Sequence, residues 1–263
     1  MISKFKQLLA GDGMKSRAFR STLLTGFSVG SQNLIRLAGN LILTRLLFPE
    51  AFGLMAIVYV VLSAVRTFSD LGLTASIVQD EKGSDPLFLD TAWSMQIIRG
   101  LILALLIWAL ASPIANFYEQ PELALILPVI GVSTFIQGFN STQVATARRN
   151  LLLGRLTALE LTKQVVGLIA TIALVFYLQS VWALVYGFVI GTIVMAVLSH
   201  VMLPGHRNRP AFHWPYVTRM LRFGVFIFMS SAGTFFLTQG DRLVLGFMMT
   251  SSTFGFYYIA RQL

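Results

Sequence analysis

Apolar runs long enough to cross a bilayer, about 20 residues each, follow one another along almost the whole of this chain. They fall at about 21–47, 51–75, 91–112, 123–145, 157–178, 181–203 and 223–249, and an eighth opens at Phe254. Turn signals separate them, among them Pro49, Ser112-Pro113 and Glu119-Gln120-Pro121-Glu122. Such runs leave little material for a surface facing water. Charged residues make up 12 % of the chain, against roughly 25 % in soluble domains. The AVILMFWYC set makes up 56 %, and the mean hydropathy is +0.73. A membrane barrel is excluded, because its strands alternate apolar and polar residues over about ten positions. With 21 phenylalanines the chain has ample material to bury, so intrinsic disorder is excluded too. The absence of cysteine removes disulfides and thiolate metal or redox sites. The composition therefore specifies an all-α integral membrane protein.

The basic residues set the orientation. Lys4, Lys6, Lys15, Arg17 and Arg20 precede the first span. Lys82, then Arg148, Arg149 and Arg155, then Arg207, Arg209, Arg219 and Arg222 occupy the loops on the same side. The opposite loops, around 49, 113–122, 179–180 and 250–253, hold no Lys or Arg. The N-terminus and its loops are thus expected on the cytoplasmic face, and the net charge of +9 is mostly this bias. No segment is long enough to be a basic, water-exposed nucleic-acid domain. Residues 1–20 read as a cytoplasmic basic amphipathic segment rather than a cleavable signal.

A shift of 202 residues aligns two stretches. Phe52-Gly53 falls on Phe254-Gly255, and Ser28, Gln32, Arg36 and Asn40 fall on Ser230, Thr234, Thr238 and Arg242. A period of six spans preserves orientation, which is the signature of parallel repeats related by an axis along the membrane normal. The organisation read from this is a first six-helix lobe at 21–203, a cytoplasmic inter-lobe loop at 204–222, and at 223–263 the first one to two helices of a second lobe. Ten residues follow Thr253, too few for a span. The chain reads as truncated.

Polar groups inside the spans are the candidate functional residues, because an ionisable side chain at bilayer depth is costly and normally faces a bundle interior or a wet cavity. Gln32, Arg36 and Asn40 recur at intervals of four along one face of the first span, with Ser28 before them. Tyr59, Ser63, Arg66 and Asp70 form a stripe in the second, and Gln137 lies in the fourth. Arg242 lies in the seventh, beside Asp241. Together they predict a cavity with a cationic bias, lined by Arg36, Arg66, Arg242, Gln32, Asn40 and Gln137, where guanidinium forks suit a phosphate. Arg36 has no evident local partner. Arg66–Asp70 and Asp241–Arg242 also read as self-compensating pairs, and Arg99, Glu160 and Lys163 as side chains reaching the cytoplasmic interface. Asp70, Asp241 and Glu160 are the acidic candidates for ion coupling. The three histidines, His200, His206 and His213, have no carboxylate among them in sequence, so no metal site is expected. No phosphate-binding loop, nucleophile elbow or zinc-protease motif occurs. No cofactor is called for, and transport energy would come from an ion or substrate gradient.

Several segments resemble one family in order and spacing. Thr44-Arg45-Leu46-Leu47-Phe48-Pro49-Glu50-Ala51-Phe52-Gly53 is similar to the first-loop signature of polysaccharide flippases. Asp70-Leu71-Gly72-Leu73 with Ile77-Val78-Gln79, Trp182-Ala183-Leu184-Val185 with Gly187, and Asp241-Arg242-Leu243-Val244-Leu245-Gly246 followed by Phe254-Gly255-Phe256-Tyr257 resemble later parts of the same pattern. The likeness is to the multidrug/oligosaccharidyl-lipid/polysaccharide exporter superfamily, and within it to the colanic acid exporter branch. It implies two six-helix lobes around a central cavity in the bacterial inner membrane. It also implies alternating access for polyprenyl-pyrophosphate-linked oligosaccharide in polysaccharide or lipopolysaccharide biosynthesis, without catalysis. The implied partners are that lipid-linked oligosaccharide, membrane lipids, and the glycan polymerase and glycosyltransferases of the pathway, with no nucleic acid. A drug or cation antiporter of the same superfamily would want an acidic lumen. A polymerase or ligase would want a long outward loop, and the outward loops here are short. A non-transporting component of a glycan-assembly complex is the remaining reading.

Overall fold

The computed structural model describes the backbone of residues 14–69 and 72–262. Among these the chain forms ten helices and no strand: α1 (Met14–Leu46), α2 (Pro49–Phe68), α3 (Leu73–Gln79), α4 (Pro86–Phe117), α5 (Leu123–Gly138), α6 (Gln143–Arg149), α7 (Leu153–Leu178), α8 (Trp182–Val201), α9 (Trp214–Met248) and α10 (Ser251–Gln262). Four of them, α2, α4, α7 and α8, are long and apolar enough to cross a membrane, and α5 with α6 makes a fifth if the bent pair is one span. The expected first and seventh spans are the long helices α1 and α9, of 33 and 35 residues. In α1 the apolar run is interrupted by Gln32, Asn33, Arg36, Asn40 and Arg45.

Three boundaries differ from the periodicity, each for a local reason. The third span does not end at Pro113. Helix α4 starts at Pro86, where Asp85 caps it by accepting from the Leu87 N–H at 2.8 Å, and runs through Pro113 to Phe117. A proline this near the end removes one hydrogen bond, while Ala111 and Ala115 stay buried and hold the last turn. The second span is divided: α2 stops at Phe68, and α3 starts after Gly72, whose φ of 60° is the left-handed conformation glycine adopts freely. The fourth is divided at 139–142, with a 59° bend between α5 and α6. In addition, α9 begins at Trp214 rather than at 223.

Helix α2 is the centre of the core, with Ala56 and Val58 fully buried and Phe52, Leu54, Met55 and Ile57 nearly so. Around it pack α4–α5, α7–α8, α5–α8 and α1–α7. Helix α4 shows the two-sided logic of a lipid-embedded helix. Met95, Leu103, Ala104 and Ile107 face protein, while Ile98, Leu101, Ile102 and Leu105 lie exposed on the other side. Lipid tails are as apolar as leucine, so close packing rather than the hydrophobic effect holds such helices together. The α4–α5 contact depends on Gly138, where an added β-carbon would stand 3.0 Å from the Gln96 carbonyl oxygen.

Helix α10 lies against α2. Phe254 is buried beside Phe52 in the same cluster, and the Tyr258 ring stacks on Tyr59 with centroids 6.3 Å apart. The contact leaves no room at Gly255, whose β-carbon would fall 2.1 Å from the Pro49 oxygen and 3.2 Å from the Gly53 nitrogen. The two Phe-Gly pairs related by the 202-residue shift therefore touch. The helix ends Leu46 and Met248, and the helix starts Pro49 and Ser251, fall at that same offset.

At the other end of the bundle, residues 204–213 are bonded down along their length. The Asp90 Oδ1 accepts from the Arg209 N–H at 2.9 Å and meets His206 Nε2 at 2.7 Å. Ser94 Oγ accepts from the Ala211 N–H at 3.0 Å. Asn208 Oδ1 accepts from Ser141 Oγ and the Thr142 N–H, at 2.9 and 3.1 Å. The fold thus supplies His206 with the carboxylate that its sequence neighbours lack.

The first turn of α9 is tied down in the same region. Tyr216 donates to Asp85 Oδ2 at 2.8 Å, and Arg219 pairs with Asp80. The Tyr216 hydroxyl and then the Leu87 N–H hold the Asp85 carboxyl below its usual range, and the same bond pushes the Tyr216 hydroxyl above its own. The depressed carboxylate contributes stability above its unfolded value near 4 and loses it as pH falls through the folded value. The raised phenol contributes below about 10 and loses it as pH climbs through the folded value. Docking of α9 is accordingly constant between about pH 4 and 10. Tyr216→Phe should lower the melting temperature across that window and flatten the decline at acid pH. A wild-type pH profile in the variant would refute the linkage.

Candidate functional site

Two clefts open in the bundle. The first, of about 460 Å³, lies where α2, α3, α4, α5 and α6 meet. Its wall carries Arg66, Arg99 and Arg148 with Gln96, Gln137 and Asn140. Arg66 donates through Nη2 to Gln137 Oε1 at 2.8 Å. Arg99 donates through Nη2 to Ser69 Oγ at 3.1 Å and to the Arg66 carbonyl at 3.2 Å. The break between α5 and α6 forms part of this wall. Non-helical backbone at bilayer depth survives only where it is satisfied internally or lines a cavity, and both conditions hold. Gln96 Nε2 donates to the carbonyls of Gln137, Gly138 and Asn140 at 3.1–3.3 Å. Ser199 Oγ accepts the Ser141 N–H at 2.9 Å.

The second cleft, of about 370 Å³, lies between α1, α2, α7, α8 and α10. Arg36, Asn40, Lys163 and Gln164 supply its polar groups, and Phe52, Tyr59, Phe188 and Tyr258 its aromatic ones. Helix α2 contributes to both, with Tyr59 at its middle on the second cleft and Arg66 in its last turn on the first.

The predicted residues are divided accordingly. Arg66 and Gln137 share the first cleft and are bonded to each other, while Arg36 and Asn40 line the second. Arg36 does have a local partner, donating to Asn33 Oδ1 at 3.0 Å one helical turn away. Gln32 lines neither cleft. It donates to Ser28 Oγ at 2.9 Å and to Glu160 Oε2 at 3.0 Å, and Glu160 also faces Arg148 at 3.7 Å. Asp70 lies outside the described residues, as do the side chains of Asp241 and Arg242. Arg99 and Lys163, read as reaching the cytoplasmic interface, and Arg148, read as a loop residue, also stand on a cleft wall. The available signal for Arg99 and Arg148 was the polar run Asn140-Ser141-Thr142-Gln143, which marks a break in an apolar span. Among the described lining residues the clefts hold five basic side chains and no acidic one.

The chain is 22 % identical over 222 residues to the lipopolysaccharide biosynthesis protein WzxC of Escherichia coli (strain K12), covering 83 % of this chain and 44 % of WzxC. It is 24 % identical over 179 residues to the amylovoran biosynthesis protein AmsL of Erwinia amylovora, covering 66 % of this chain and 45 % of AmsL. The chain thus spans less than half the length of these relatives. No solved structure matches it. The profile of the family described as "Polysaccharide biosynthesis protein" matches residues 42–263, and an all-α membrane chain matched over that extent belongs to that family.

Proposed function

We propose that this chain belongs to a carrier that moves polyprenyl-pyrophosphate-linked oligosaccharide across the bacterial inner membrane, with its N-terminus in the cytoplasm. The carrying observation is the set of five basic side chains on the cleft walls, without an acidic one among the described lining residues. A sugar head group cannot cross hydrocarbon, and a pyrophosphate adds charge whose burial needs paired cations. Guanidinium groups fixed by Gln137 and Ser69 offer donors that need little reordering when a phosphate arrives. A cation carrier would meet repulsion in the same clefts.

On this reading residues 21–203 form one lobe, 204–222 join it to a second, and 223–263 begin that lobe. Arg242 would add a cation from the second lobe, and Glu160, held between Gln32 and Arg148, is the described candidate for ion coupling. Two measurements test the proposal. In lipid nanodiscs the chain should bind undecaprenyl pyrophosphate and not undecaprenol, and equal affinity for both would refute the phosphate reading. A reporter fused after Ser112 should read periplasmic and one after Arg149 cytoplasmic, and the opposite result would overturn the orientation.

A further inference from the structure

We infer that the two clefts divide the head group between them: the first takes the pyrophosphate and the second is a sugar-binding subsite built on the Tyr59, Phe188 and Tyr258 rings. This rests on the carrier reading and adds to it a place for the glycan. The second cleft differs from the first in the chemistry of its wall. Its basic groups are Arg36 and Lys163, and Phe188 and Tyr258 flank Tyr59 of α2. Tyr59 and Phe188 stand edge to face, with centroids 6.0 Å apart and an interplanar angle of 76°, while Tyr59 and Tyr258 are stacked. Tyr59 and Phe188 thus form a corner, with Tyr258 layered parallel to Tyr59. A ring face carries negative charge density and suits the polarised C–H face of a pyranose.

The polar groups complete the match. Ligand sites combine an apolar wall with a few placed hydrogen-bonding groups. Gln164 uses its Nε2 to hold the Gln32 carbonyl at 2.8 Å, which fixes its Oε1 as an acceptor beside the cleft. Lys163 and Arg36 add donors, with Arg36 oriented by Asn33. Hydroxyls, which both donate and accept, use such a mixed set, whereas an acyl chain would leave these groups unpaired. The order of the clefts also matches a covalent order. The first lies toward the α5–α6 break and the second toward Phe52 and Leu184, with Arg66 of the first about two turns along α2 from Tyr59 of the second. A lipid pyrophosphate entering the first would extend its sugar into the second.

The test uses the full chain in nanodiscs. Saturation-transfer difference NMR is recorded with maltotriose, triacetylchitotriose and a glucuronic-acid-containing trisaccharide, and inorganic pyrophosphate binding is followed by ³¹P NMR. At least one trisaccharide should receive saturation from protein aromatic protons. The Tyr59→Leu/Phe188→Leu double variant should weaken that binding about tenfold and leave pyrophosphate binding in place. Circular dichroism should confirm that the double variant is folded. No transfer to any of the three probes, or unchanged sugar binding in the double variant, overturns the subsite. If wild type binds pyrophosphate and no sugar, only this assignment fails. If pyrophosphate is not bound either, the carrier reading fails with it.

Discussion

Arg66→Gln is expected to weaken binding of undecaprenyl pyrophosphate by about ten- to a hundredfold. Hydrogen bonds to charged groups contribute about 1.5–3 kcal/mol, and each 1.4 kcal/mol is about a factor of ten. Arg66 lines the first cleft, and its guanidinium is aimed by Gln137 Oε1 at 2.8 Å. The glutamine variant keeps a polar side chain of moderate size, so it removes the charge without opening a large void. Arg66→Lys separates charge from shape: it restores the cation but not the two-pronged donor, and its affinity should fall between the other two. Gln137→Leu should reproduce part of the loss by releasing the guanidinium from its anchor. Native mass spectrometry of nanodisc-held protein gives the affinities. A wild-type affinity in Arg66→Gln would mean that the first cleft does not hold phosphate.

Gly255→Leu should produce the largest loss of stability of any single change at the α2–α10 contact. Even the β-carbon would stand 2.1 Å from the Pro49 oxygen, which is backbone and cannot turn aside as a side chain would. Overpacking typically costs about 1–3 kcal/mol, or a fall in melting temperature between about 2 and 12 °C for a chain of this size. Gly255→Ala should already show much of the effect, because the first added atom makes the clash. Gly26→Ala is the control, since nothing lies within 4 Å of a β-carbon there. Intrinsic fluorescence from the four tryptophans follows the melting. Equal melting temperatures for Gly255→Leu and Gly26→Ala would show that α10 does not pack on α2 in this way.

Hydropathy located the long helices, though not the divisions of the second and fourth spans or the starts of α4 and α9, because a bilayer demands about 20 apolar residues per crossing and this requirement is local. Period also placed the polar stripe of α1 on one face, and Arg36 and Asn40 do share a cleft. What period does not contain is the identity of the helix opposite. Gln32 sits on the same stripe and meets Glu160 of α7 instead of a cleft. Arg99 and Lys163 read as interfacial because each is near the expected end of its span, and only the packing of α4 on α5 and of α7 on α1 turns them inward. The break in the fourth span shows the same limit. The residues that satisfy its carbonyls and amides, Gln96, Ser199 and Asn208, lie on other segments.

The fastening of residues 204–213 has a mechanical consequence. A slack tether would let α9 swing without disturbing its neighbours. Here Asn208 grips Ser141 and Thr142, both on the rim of the first cleft, while Arg209 and Ala211 are riveted to α4 through Asp90 and Ser94. Torque applied through α9 must either shear these bonds or be delivered to the rim itself. The connector is thus a crank rather than a hinge, and a displacement of α9 would be delivered to the first cleft.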